Sequence, residues 1–143
     1  MTAAPASARP LAEEFWRAAA EGRFVLPQCE ECRQFAWPPA YRCSACAGSM
    51  TWSAASGRGA IYSVTVVHRA PRSVPVPYVL AFVELVEGLR MLVAVVGEGA
   101  LSAAIGDRVT ADFQVAPGGD VVRPVFALER VGTEGGIADG SRD

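Results

Sequence analysis

Two Cys-x-x-Cys pairs ahead of five alternating apolar stretches predict a mainly β protein: a short N-terminal helix, a small four-cysteine metal ribbon, and a five-stranded closed barrel of the oligonucleotide/oligosaccharide-binding (OB) type. The four cysteines are all the chain has: Cys29 and Cys32, then Cys43 and Cys46, with ten residues between the pairs. Each pair curls the backbone into a knuckle that aims two sulfurs at one point. Two knuckles complete a tetrahedral four-thiolate site for zinc. Two disulfides, in any of three connectivities, are the competing arrangement, but disulfides belong to oxidising compartments. Iron takes the same four ligands. No coordination position is left over, so the metal is expected to be structural.

The elements follow in order. Residues 1–10 read as a disordered tail, small and polar, with no apolar h-region, and no apolar run in the chain is long enough to span a bilayer. A cytoplasmic protein with no membrane contact is expected. Pro10 suits a first helical position, Leu11, Phe15, Trp16 and Ala19 recur at helical spacing, and Gly22 stands where a helix stops, so the helical unit is assigned to residues 11–23. Its apolar stripe must cover either its own domain or a partner.

Residues 24–52 form the metal ribbon. Between its knuckles run Phe35 to Arg42, where Pro38 and Pro39 stiffen the turn and Trp37 and Tyr41 crowd a loop too short to bury both. That leaves an aromatic rim, which either caps the knuckles or meets a ligand or subunit. With Phe15 and Trp16, Trp37 and Tyr41 are the candidate partner contacts.

The barrel is assigned to residues 53–131. Ala60, Tyr62, Val64 and Val66 alternate with Ser63 and Thr65, which puts the apolar set on one face. Tyr78 to Val86 and Leu89 to Val96 flank Glu87-Gly88, a two-residue hairpin signal. Val109, Ala111, Phe113 and Val115 alternate with polar neighbours, and a last strand runs from Val122 to Val131, with Pro124 at an edge or bulge. A small sandwich is the alternative. In Tyr78 to Val83 and Met91 to Val96 both faces are apolar, so the ribbon, the helix or a second protein is expected to cover the outside. Residues 132–143, rich in Gly and Asp, read as a closing disordered tail.

Composition narrows the function. The formal net charge is -2, which lacks the electrostatic footprint of nucleic-acid binding. All 13 basic residues are arginine, which excludes Schiff-base chemistry through lysine and retains forked contacts to phosphate or carboxylate. The single histidine, His68, has no oriented partner in the sequence and reads as a packed strand-end residue. Glu84 reads as paired at a rim or interface. No residue is assigned a catalytic role. Arg69 and Arg72, on a proline-stiffened loop, are candidates for holding a phosphate, and Arg42 and Arg58 are weaker ones. The competing reading of all four is solvated charge.

The motifs, in order, resemble the DUF35 family. They are Phe15-Trp16; Glu21-Gly22-Arg23-Phe24 leading to Cys29-x-x-Cys32; Pro38-Pro39 before Cys43-x-x-Cys46; Trp52 before Gly57-Arg58-Gly59-Ala60-Ile61-Tyr62; Pro77-Tyr78-Val79-Leu80; Ile105-Gly106-Asp107; and Pro124-Val125-Phe126. They span residues 11–130. The resemblance implies a rubredoxin-like zinc ribbon followed by an OB-fold, acting as a noncatalytic subunit beside a thiolase-like acyl-CoA enzyme. Relatives accompany acyltransferases and the retro-aldol cleavage of steroid side chains, or enoyl-CoA hydratases of the MaoC type. It further implies a heterotetramer and a coenzyme A thioester as ligand of the complex. A departure is Arg33 after Cys32, where glycine is usual in such ribbons. It puts the shape of the first knuckle in question without removing a ligand. A free-standing acyl-CoA-binding protein and a nucleic-acid-binding OB module are the rival readings.

Overall fold

The computed structural model describes residues 10–117 and 119–129. The tails expected at 1–10 and 132–143 lie outside the described residues, apart from Pro10. One 3-10 turn, Pro10–Ala12, leads into α1, Glu13–Ala20, whose C-cap Glu21 is followed by left-handed Gly22. The ribbon strands β1, Val25–Cys29, and β2, Met50–Ala54, pair antiparallel with Cys29 opposite Met50. Then come β3, Arg58–Val67, β4, Tyr78–Leu85, β5, Arg90–Val96, β6, Arg108–Val115, and β7, Val122–Leu128. They close into a barrel of order β3-β4-β5-β7-β6, the five-stranded OB arrangement the alternation predicts. No helix among the described residues is long and apolar enough to cross a membrane.

Inward residues follow the period of two. Val79, Ala81, Val83 and Leu85 of β4 are buried, as are Met91, Val93 and Val95 of β5, Val109 of β6 and Phe126 of β7, while Ala94 and Val125 are buried on the opposite faces of their strands. β3 departs from it. Its register against β4 shifts between Ile61 and Ser63, a bulge that inserts one residue. Ile61 is therefore buried, Tyr62 turns outward, and Val64 and Val66 regain the inner side. The expectation that Tyr62 shares a face with Val64 and Val66 is corrected by that one added residue. The β4–β5 connection is also longer than a two-residue loop. Leu85 N–H reaches the Leu89 carbonyl at 2.8 Å, leaving three residues, 86–88, with Gly88 left-handed.

Gly59 permits the close approach of β3 to β4. A Cβ built there would lie 2.5 Å from the Glu84 carbonyl oxygen and 2.8 Å from Val83 Cγ1. Ribbon and barrel share one core. Phe24, at the entry to β1, packs edge-on against Phe126 of β7, centroids 5.8 Å apart, and Phe15 and Leu26 belong to the same buried cluster as Val83 and Val109. The connection after β2 is held by Glu87, whose carboxylate accepts the Ser56 N–H at 2.6 Å and the Ser56 hydroxyl at 3.2 Å.

Candidate metal centre and partner surface

The two knuckles are built alike. Arg33 N–H donates to the Cys29 carbonyl at 3.0 Å, and Ala47 N–H to the Cys43 carbonyl at 2.8 Å. Cys29 N–H donates to Gln34, and Cys43 N–H to Gly48, each at 2.9 Å. Amides inside the turns point at sulfur: Glu31 and Cys32 N–H at Cys29 Sγ, 3.3 and 3.4 Å, and Ala45 N–H at Cys43 Sγ, 3.3 Å. Arg33 thus takes up the knuckle conformation in place of glycine, and the first knuckle keeps its form.

All four sulfurs lie within 4.8 Å of one another, with Cys29–Cys46 at 3.5 Å and Cys32–Cys43 at 3.6 Å. Zinc–sulfur bonds of about 2.3 Å in a tetrahedron require sulfur–sulfur edges of about 3.8 Å, so the donor set fits zinc. Cys29 and Cys43 are buried while Cys32 and Cys46 face outward. The protons are divided unevenly among them. The Cys32 amide, then that of Glu31, draws the Cys29 thiol down to about 6 against the opposing effect of burial. The Ala45 and Cys46 amides lower Cys43. Cys46 is pushed up to about 12, because its contacts with the other thiols, Cys29 foremost, together with burial outweigh the lowering pull of the Gly48 amide. Four thiolates this close require a cation to stabilise them.

The aromatic candidates separate in space. Phe15 is 5% exposed and lies in the core, its ring 4.7 Å from Trp37, 5.3 Å from Trp16 and 6.3 Å from Trp52. It supports the surface from beneath, its ring buried rather than presented outward. Trp16 and Trp37 are half-buried and line a cavity of about 290 Å³ against Leu80, Leu92 and Ala94 of the barrel wall. The helix and ribbon thus cover part of the apolar outer face of β4 and β5. Leu92, at the edge of the cavity, and Phe82 and Tyr62 beyond it remain exposed, with the Arg90 guanidinium 3.7 Å over the Tyr62 ring. Tyr41 stands exposed on the ribbon.

The four arginines do not converge. Arg69 and Arg72 are exposed on the loop after β3, with no hydrogen bond or ion pair to the described residues. Arg42 donates to the Ala47 carbonyl at 3.1 Å and so braces the second knuckle. Arg58 lies at the other end of β3, in a cavity of about 320 Å³ where Glu84 and Glu129 offset its charge and that of Arg108. His68 is exposed past the end of β3, not packed against the barrel as its strand-end position implied. Arg123, which lines the cavity beside Pro124, carries no periodic or motif signal that would single it out.

Comparison with known proteins agrees with this architecture. Residues 16–51 match a family model described as the ChsH2 rubredoxin-like zinc ribbon domain, and residues 52–114 one described as the ChsH2 C-terminal OB-fold domain. Among solved structures, the chain is similar to one described as the Ltp2-ChsH2(DUF35) aldolase, with TM-score 0.77 and 31% identity, covering 87% of this chain and 98% of that one. A DUF35 protein of unknown function from Sulfolobus solfataricus shares the fold at TM-score 0.56 and 13% identity, over 84% of this chain and 86% of that one. A probable enoyl-CoA hydratase alpha subunit of Thermomonospora curvata is 37% identical over 116 residues, 78% of this chain. The 3-oxo-4,17-pregnadiene-20-carboxyl-CoA hydratase alpha subunit of Mycobacterium tuberculosis is 49% identical over 61 residues, 41% of this chain. The chain spans 36% and 19% of the length of these two curated relatives.

Proposed function

Because the chain belongs to the DUF35 family, with the zinc ribbon and OB-fold of ChsH2, we propose that it is a noncatalytic accessory subunit of a thiolase-like acyl-CoA enzyme of the aldolase or acyltransferase kind. The observation that carries this reading is its similarity, over 98% of the neighbour's length, to the chain in the Ltp2-ChsH2(DUF35) aldolase. The site chemistry supports it. Cys29, Cys32, Cys43 and Cys46 hold a structural zinc in the proposal, Trp16, Trp37 and Tyr41 face the enzyme, and the enzyme supplies nucleophile and base. When bound, zinc supplies thiolate charge neutralisation and a rigid ribbon. The subunit excludes water and fixes the acyl chain, effects that lower barriers through geometry. Arg69 and Arg72 hold the coenzyme phosphates, on the strength of their exposure and free donors.

Steady-state kinetics of the reconstituted pair tests this. The enzyme alone is expected to be poorly soluble or nearly inactive, and adding this chain restores turnover of an acyl-CoA. His68→Ala leaves most of that activity, whereas Arg69→Ala with Arg72→Ala raises KM. Loss of activity in His68→Ala, at unchanged assembly, would show that this subunit carries chemistry. A second reading, accessory to a MaoC-type enoyl-CoA hydratase, is favoured by the descriptions of the two curated relatives. Restoration of hydratase rather than aldolase turnover selects it.

A further inference from the structure

The barrel closes unevenly. β5 and β7 run parallel and pair only at Val95–Phe126 and Val96–Ala127, although β5 begins at Arg90 and β7 at Val122. Before that contact no ladder joins the two strands, and residues 90–94 pair on the β4 side alone. Alternate residues of such a strand direct N–H and C=O away from their one partner. On the opposite bank Pro124 pairs with Phe113 of β6 and has no N–H to give to a closing ladder. The seam is therefore held open by composition as well as by geometry.

It opens into the cavity between Trp16 and Trp37 on one side and Leu92 and Ala94 on the other, with Arg123 and Pro124 along its edge. Arg123 is the one charged residue among those lining it, and its Nε is buried without a hydrogen-bond partner. Native proteins satisfy nearly all such groups, so this donor is available to an incoming acceptor. From Leu92, 57% exposed, the apolar surface continues past the cavity through Phe82 and Tyr62, which are 43% and 48% exposed. Contiguous exposed apolar side chains of this kind mark a protein contact.

We infer that the open seam between β5 and β7 receives an extended segment of the partner enzyme, apolar at alternate positions and bearing one carboxylate that meets Arg123. The free edge of β5 supplies main-chain hydrogen bonds, the tryptophan-walled cavity takes an apolar side chain, and the guanidinium takes the acid in a charge-assisted bond. The inference rests on the accessory-subunit reading for the identity of the enzyme alone. The site itself is argued from this chain.

The test uses the full zinc-loaded chain against a phage-displayed library of random dodecapeptides. Enriched peptides are expected to share an acidic residue flanked by apolar residues, and the bound peptide to slow amide exchange across 90–94. Arg123→Gln then weakens the selected peptide by about tenfold or more. Leu92→Glu, at an exposed position that spares the fold, weakens it as well. Absence of enrichment, peptides without an acid, slowed exchange elsewhere, or a folded Arg123→Gln variant with unchanged affinity each overturn the inference. An enzyme that co-purifies while residues 90–94 exchange as in the free chain overturns the seam and leaves the accessory reading intact. Peptide binding at the seam without any co-purifying enzyme does the reverse.

Discussion

Arg33 and Ala47 hold the same left-handed backbone, φ 69° and 64°, each one residue past the second cysteine of its knuckle. The turn demands this conformation at both places, and neither residue is the glycine that adopts it without strain. Arg33→Gly should therefore stabilise the zinc-loaded protein by about 1 kcal/mol, once the added freedom of the unfolded chain is subtracted. Thermal melts with zinc in excess decide this, and a lowered Tm would mean that the Arg33 side chain holds the ribbon in some other way.

Zinc uptake should depend steeply on pH. Cys29, drawn down to about 6, is already a thiolate at neutral pH, while Cys32 is raised and Cys46 is pushed up to about 12. The sign follows from these directions. The lowered thiol stabilises the fold above its unfolded value and loses that contribution as pH falls through about 6; the raised thiols must each give up a proton when metal binds. Apparent zinc affinity should climb by at least about a hundredfold per pH unit around neutrality, Cys32 and Cys46 each releasing a proton. Chelator competition at several pH values measures the slope, and a slope below one proton contradicts the division of protons described.

Gly59→Ala should destabilise the barrel by on the order of 2 kcal/mol, since the added carbon meets backbone that cannot move aside. Chemical denaturation of the variant reports it, with zinc content expected to stay at the level of the unsubstituted protein.

Phe24→Ala should cost about 3 to 5 kcal/mol and still unfold in a single transition, because its ring lies within the core common to both modules. Cys43→Ser, for the same reason, should lower the stability of the barrel along with that of the ribbon. Two separate transitions in calorimetry would contradict the common core.

Legibility in the sequence followed the kind of signal each feature leaves. The cysteines announce themselves by chemistry and spacing, the strand from Arg108 to Val115 by clean alternation, and that from Tyr78 to Leu85 by an apolar run bounded by a hairpin signal. The bulge at Tyr62 hides because one inserted residue leaves composition unchanged while exchanging the two faces. The helical spacing of Phe15 and Trp16 shows that a stripe is buried, but not that Phe15 lies below the surface and Trp16 at it. Arg42 has the same type and loop setting as Arg69 and Arg72, and the carbonyl that engages it is visible only in three dimensions. The seam at Arg123 depends on where two distant strands stop pairing, which no local pattern encodes.

The edge-on contact of Phe24 with Phe126 also sets how this subunit fares where zinc is scarce. A ribbon that loosens without metal withdraws a ring from the barrel interior, uncovering apolar surface of the sort that aggregation and proteolysis act on. Supply of the subunit, and so the amount of enzyme it can accompany, would then track the zinc economy of the cell with no sensor beyond its own folding.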